Sequence, residues 1–212
     1  MSRNKAWLFT NHSPAEIFSS YRSIDLSQDL IIAVDNGLEQ VAKLGLAPDL
    51  IVGDLDSVAP ELLARYQSCE KLLHPEQKNE TDTELALSWC FQNGIASVVI
   101  CNDLKGRFDH ALGIIQNILL AHHQGMEAVI ESENQQAFFL QKVTSLKGKE
   151  GMLLSLLAWG GKARFEDSEG LAYPLDGLTL YPHLSRGISN RITAPAATLR
   201  LVSGEVLALL TK

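Results

Sequence analysis

The chain has 212 residues, of which 46% are hydrophobic and 20% charged, and a formal net charge of -7. That is enough chain and apolar content for one large domain or two small ones without stabilising metals or disulfides, and the acidic balance argues against a general nucleic-acid binder, which needs a basic face. Cys69, Cys90 and Cys101 form no C-x-x-C pair, which argues against a disulfide scaffold or zinc site; no apolar run approaches the roughly 18 residues of a membrane span and residues 1–10 hold no signal core, so the cytoplasm is the expected compartment.

Residues 6–10 read as an opening strand, and 30–34 as an apolar run suited to a strand buried on both faces. Residues 36–44 place Leu38, Val41 and Leu44 at helical spacing, and Gly45 closes the segment. Residues 50–52 form another buried-strand candidate. A helix over 59–66 follows, with Pro60 in its first turn. Thr81 and Glu84 form a capping-box signature for a helix over 82–92. A strand at 98–101, a helix at 109–122 with Leu112, Ile115, Ile118 and Leu119 on its apolar side, and a strand at 128–130 complete the alternation. Such alternation predicts an α/β fold: a Rossmann-like open parallel sheet with helices on both faces.

After about Glu131 the helical period fades. Turn residues recur at Gly148, Gly151, Gly160-Gly161, Asp176-Gly177, Pro182 and Gly204, with strand candidates at 152–157, 178–181, 198–202 and 206–210 between them. This predicts a smaller all-β sandwich domain. The expected division is residues 1–135 for the α/β nucleotide-binding domain and 136–212 for the β domain.

Ligands of open parallel sheets bind beyond the carboxyl ends of the strands, and there the acidic residues collect. Asp35 follows the second strand. Asp54 and Asp56 follow the third, in Gly53-Asp54-Leu55-Asp56-Ser57. Two carboxylates at i and i+2 of an extended segment face one way, and a divalent cation would relieve their repulsion. The competing reading is a turn in which Asp56 and Ser57 cap the next helix. Lys78-Asn79-Glu80-Thr81-Asp82 offers a point charge for phosphate and an acidic residue in a first helical turn, where it also complements the helix dipole. In Lys105-Gly106-Arg107-Phe108-Asp109-His110, Arg107 offers a donor fork suited to phosphate, and Asp109 could bind a polar substrate or cap the helix.

In this order the clusters resemble the thiamine pyrophosphokinase family. The resemblance rests on Asp35-Asn36-Gly37, Leu44-Gly45 with Pro48-Asp49, and the Gly53–Ser57 loop, then on Lys78–Asp82 and Gly106–His110. Weaker pieces are Gly170-Leu171-Ala172-Tyr173-Pro174-Leu175 and Gly187-Ile188-Ser189-Asn190. The resemblance implies transfer of pyrophosphate from ATP to the hydroxyl of thiamine, with AMP released, by a homodimer with thiamine at the subunit interface. It implies Asp54, Asp56 and Asp82 as Mg²⁺ ligands, with Asp35 in the same acidic site. Lys78, Thr81 and Arg107 would contact nucleotide or phosphate, Asp109 would meet both substrates, and Ser189 and Asn190 would help form the thiamine pocket. Two positions depart from the family pattern: Asn79 replaces a carboxylate and Lys105 a glycine. A related pyrophosphokinase acting on another alcohol, such as a pterin, and a non-catalytic nucleotide- or thiamine-binding regulator are the rival readings.

Overall fold

A computed structural model describes residues 4–14, 25, 27–56, 58–73 and 79–212. Two compact units divide the chain, Met1–Glu133 and Asn134–Lys212.

The first unit is built on parallel strands. They are β1 (Lys5–Phe9), β2 (Asp29–Val34), β3 (Leu50–Gly53), β4 (Glu70–Leu73), β5 (Ser97–Cys101) and β6 (Glu127–Glu131). Their order across the sheet is β6-β5-β1-β2-β3-β4, and every pair is parallel. Between them run α1 (Gly37–Lys43), α2 (Pro60–Arg65), α3 (Asp82–Gln92) and α4 (Phe108–His123). The apolar runs of β1, β2, β3 and β5 are almost wholly buried, as continuous Val/Ile/Leu strands of a covered sheet require. Trp7, Phe9, Ile31, Ala33, Ile51, Val99 and Cys101 pack in one cluster with Leu38 and Val41 of α1 and the half-buried Leu62 and Leu63 of α2. The alternate side chains Leu8, Ile32, Leu50 and Ile100 are buried too.

Local chemistry sets the element ends. Thr81 caps α3: its Oγ1 accepts from Glu84 N–H at 3.2 Å, and Thr83, Ala86, Leu87 and Cys90 form the buried stripe. Gly37 starts α1 so close to β1 that a Cβ there would lie 1.9 Å from the Phe9 carbonyl oxygen. Lys71, on β4, donates to the carbonyls of Tyr66, Gln67 and Cys69 after α2, satisfying groups that a helix end leaves open. Asp49 accepts from Ile31 N–H at 2.9 Å and donates its own N–H to Ile31 O. It therefore locks the amino end of β3 to β2, at the edge of the sheet away from the acidic loops.

Helix α4 sits differently from its expected orientation. Ala111, Asn117, Ile118 and Ala121 are its buried residues, whereas Leu112 is exposed. The helix is apolar on most sides, so spacing alone could not choose its inner face; small residues face inward where it packs on α3 and β6.

The second unit contains β7 (Gln135–Phe139), β8 (Val143–Lys147), β9 (Leu153–Glu169), β10 (Thr179–Leu180), β11 (Asn190–Arg191) and β12 (Ala196–Thr211). All its pairings are antiparallel: β9 with β10, β11 and β12, and β12 with β7 and β8. Two long strands replace the several short ones expected. Gly160-Gly161 lies within β9 and Gly204 within β12, where the pairing shifts register between Leu199 and Glu205. The glycines mark bulges and bends rather than strand ends. The core of this unit includes Leu154, Leu156, Phe165, Leu180, Ile192, Leu199 and Val206. Trp159 meets Phe139 edge to face at 6.0 Å, a packing role.

Candidate active site

A cleft of about 390 Å³ opens beyond the carboxyl ends of the first unit's strands. The loop after β1 contributes Thr10, Asn11 and His12. The end of β2 contributes Val34 and Asp35. The start of α3 brings Thr81, Asp82 and Thr83, and the loop after β5 brings Asn102, Lys105 and Arg107. Along α4 the wall continues through Asp109, His110, Gly113, Ile114 and Asn117. Strands β1 and β5 are neighbours in the sheet but far apart in sequence, and the reversal of strand order between them is where such sheets bind ligands.

A buried network braces this reversal. Thr10 Oγ1 donates to Cys101 O at 3.0 Å and accepts from Asn102 Nδ2 at 2.7 Å. Asn102 Nδ2 also donates to Asn11 O, and its Oδ1 accepts from Leu104 N–H at 2.6 Å. Asp103 N–H donates to His12 O. Asp103 carboxylate oxygens accept from Lys105 Nζ at 2.7 Å and from Glu133 N–H at 3.2 Å. Lys105, where the resemblance implies a glycine, is paired with Asp103 on the wall of the cleft, and the pair keeps the Lys105 ammonium protonated above its ordinary range. The turn itself is preserved by Gly106, where a Cβ would lie 2.8 Å from His12 Nε2.

Among the described residues, four of the five non-glycine residues with positive φ follow strands of this sheet: His12 after β1, Asp35 after β2, Leu55 after β3 and Leu104 after β5. Backbone strain of this kind collects at functional sites.

The acidic loops are joined through backbone. Asp35 N–H donates to Val52 O at 2.9 Å. Its Oδ1 sits where a Cβ on Gly53 would be, only 1.8 Å from that position. The carboxylate of Asp35 therefore lies directly on the backbone at the end of β3, beside Asp54. The segment beyond Gly53 is not extended: Leu55 is left-handed at φ 62 and buried, and Asp54 Oδ1 accepts from Asp56 N–H at 3.2 Å. The alternation argument for two carboxylates facing one point fails here because the strand ends at Gly53. Ala59, not Asp56, is the cap residue of α2, and Ser57, the other capping candidate, lies outside the described residues. Asp54 is half-buried and Asp56 exposed. Neither lines the cleft, whereas Asp35 and Asp82 do.

Arg107 and Asp109 form a two-bond fork, with Nη2 to Oδ2 at 2.6 Å and Nε to Oδ1 at 3.2 Å. The hydrogen bond from Arg107 holds the Asp109 carboxyl below its ordinary value, and Asp109 raises the arginine in turn. Both are exposed at the mouth of the cleft, so the pair contributes little to stability. Lys78 and Ser57 lie outside the described residues. In the second unit, Ser189 is exposed with φ 62. Asn190 is buried, and its amide is engaged internally: it accepts from Tyr173 N–H and Arg191 N–H and donates to Tyr173 O at 2.7 Å. It shapes the loop around Tyr173.

A family model described as the catalytic domain of thiamin pyrophosphokinase matches residues 21–130, just over half of the chain. The chain belongs to the thiamin pyrophosphokinase family. The match spans Asp35, the acidic loop, Thr81, Asp82 and the Arg107–Asp109 fork. A thiamine pyrophosphokinase of Bacillus subtilis is 26% identical over 179 residues, 82% of this chain and 84% of that protein. Thiamine pyrophosphokinase 1 of Oryza sativa subsp. japonica is 27% identical over 63% of this chain and 54% of its own length. Among solved structures, a thiamine pyrophosphokinase from Bacillus subtilis superposes with a TM-score of 0.85 at 20% identity, covering 98% of both chains. A thiamin pyrophosphokinase from Candida albicans reaches 0.81 at 18% identity, over 99% of this chain and 89% of that one. At such identities the superpositions speak for the fold of the family.

Sequence reasoning missed Thr10, Asn11, His12, Asn102 and Asn117 as cleft residues. Their only signal was position: four of them follow β1 or β5 at the carboxyl end. Asn117 gave none beyond a polar residue in an apolar helix.

Proposed function

We propose that this protein transfers a pyrophosphoryl group from ATP to the hydroxyl of thiamine, giving thiamine diphosphate and AMP. The reading rests chiefly on one coincidence. The stretch that matches the family's catalytic domain is the stretch whose Asp35, Thr81, Asp82, Arg107 and Asp109 share one cleft. In this reading the first unit is the Rossmann-like nucleotide domain and the second the β-sandwich that helps select thiamine. The enzyme works in the cytoplasm as a homodimer, with thiamine at the subunit interface and Ser189 and Asn190 near it.

The reaction asks the protein mainly for positioning and charge compensation. Arg107 binds phosphate oxygens when its fork turns from Asp109 to the nucleotide, and Lys78 supplies a second positive charge. Thr81 orients the nucleotide at the start of α3. Asp109, once released, accepts a hydrogen bond from thiamine. The hydroxyl proton passes to a carboxylate among Asp35, Asp54 and Asp56.

Among the described residues no three acidic, histidine or cysteine side chains form a ready metal cage. Mg²⁺ ordinarily takes only one or two carboxylates and fills its shell with phosphate oxygens and water. Asp54, Asp56 and Asp82 are hard oxygen donors, and Asp35 is held against the backbone next to Asp54 in space that a Cβ would fill. By donor type these carboxylates fit an ion that arrives with ATP, with Asp35 and Asp82 on the cleft wall and Asp54 and Asp56 off it. Bound there, Mg²⁺ draws charge from the phosphate oxygens and makes the β-phosphorus more electrophilic.

The test is incubation of purified protein with ATP, Mg²⁺ and thiamine, followed by chromatography of the products. AMP and thiamine diphosphate in equal amounts are expected. ADP as product, or binding without turnover, refutes the reading. AMP formed only with another alcohol makes the protein a related pyrophosphokinase.

A further inference from the structure

Asn117 is a polar residue in the middle of an apolar helix. It is 6% exposed, beside Ile118 and one turn before Ala121, both buried. Among the described residues its amide makes one hydrogen bond, from Nδ2 to Thr81 Oγ1 at 3.3 Å. That hydroxyl already accepts Glu84 N–H as the cap of α3. Burying an amide is unfavourable unless its groups are well bonded, and one long, shared bond compensates poorly. The amide stands on the wall of the cleft, one bond from the residue that precedes Asp82.

We propose that Asn117 is a positioning residue for the nucleotide half of the site. Its amide ties Thr81, and with it the first turn of α3 and Asp82, to α4. Helix α4 begins just after Arg107 and carries Asp109 in its first turn. The two helix starts supply opposite charges to the same cleft, and ATP needs both at a fixed spacing. Cutting the tie frees the start of α3, while α4 stays anchored through Ile118 and Ala121. The loss therefore falls on ATP and Mg²⁺ more than on thiamine. This inference deepens the pyrophosphokinase reading and rests on it.

The experiment compares wild type, Asn117→Leu, Thr81→Ala and the double variant in steady-state AMP release, together with thermal melting. Wild-type turnover tests the underlying reading by itself. Given that turnover, Asn117→Leu is expected to melt no lower than wild type, to raise the KM for ATP about tenfold, the loss of roughly one buried hydrogen bond, and to leave the KM for thiamine within about twofold. The double variant is expected to be no worse than Thr81→Ala, because both changes cut the same tie. If the leucine overpacks and the protein fails to fold, Asn117→Ala, which adds no volume, must give the same selective rise. Losses that multiply in the double variant, equal rises in both KM values, an unchanged KM for ATP, or an activity loss that follows melting temperature would each overturn the proposal.

Discussion

Replacing Gly53 with alanine tests the closest contact in the acidic site. The new Cβ would lie 1.8 Å from Asp35 Oδ1 and 2.9 Å from Asp35 Cγ, at a φ of +139° that side chains rarely adopt. To reach even the 3.0 Å limit of real contacts, the Asp35 carboxylate must retreat by about 1.2 Å. The backbone term costs about 1–3 kcal/mol and the crowding about as much again, together about 2–6 kcal/mol. Against a typical total of about 5–15 kcal/mol the protein stays mostly folded. Catalysis is less forgiving: a displacement of about 1 Å can cost about a hundredfold in rate. Urea unfolding should show the midpoint falling, and AMP release should fall by about two orders of magnitude in protein that remains folded. In an Asp35→Ala background the crowding disappears, because the next atom is the Asp35 backbone nitrogen at an ordinary 3.4 Å. There the second substitution should cost only the backbone term and restore no activity. A Gly53→Ala protein with wild-type midpoint and turnover would refute the packing of Asp35 on β3.

Asp54→Asn should lower turnover at least about a hundredfold while shifting stability by less than about 0.5 kcal/mol, as half-exposed substitutions usually do; full activity would remove Asp54 from the site. Arg107→Ala should let Asp109 titrate nearer the ordinary value of about 3.9. Because Arg107 lowers that pKa, the pair is intact above the ordinary carboxylate range and dissolves as pH falls through the depressed value. An NMR titration of the Asp109 carboxyl that is identical in both proteins would contradict this. Burial pushes the Cys90 thiol up to about 12, and desolvation raises half-buried Cys69 less far. At pH 8, iodoacetamide should label Cys69 slowly and Cys90 and Cys101 only after unfolding, as read by mass spectrometry.

Much of the first unit was legible in the sequence, because buried parallel strands leave continuous apolar runs and Thr81 with Glu84 announces a helix start. Strand β4 was not. Its Glu70-Lys71-Leu72-Leu73 is a short edge strand with mixed exposure, and Lys71 is there to bond the end of α2. The length of β9 and β12 is not legible, because glycines inside a bent strand look like glycines between strands. At the site, Asp35, Arg107 and Asp109 stand out by their positions after strands and Asp82 by its place in the first turn of α3, whereas the fork between Arg107 and Asp109 does not. The conformation of the Asp54–Asp56 loop was not legible, since nothing local shows that Leu55 turns left-handed and inward. The Thr10–Asn102 brace joins residues 92 apart, a relation that only the sheet order creates.

The left-handed residues at His12, Asp35, Leu55 and Leu104 set a limit on how this protein can be improved. Glycine at any of them would relieve local strain, and the backbone freedom it adds to the unfolded chain takes back part of that gain. Yet each stands on a loop whose shape the cleft depends on, and a looser loop is a less exact one. Gains in heat resistance that leave turnover intact should come instead from positions such as the exposed Val143 and Val202 of the second unit. The cleft has traded durability for shape, and a screen for thermostable variants that ignores activity will find that trade undone first.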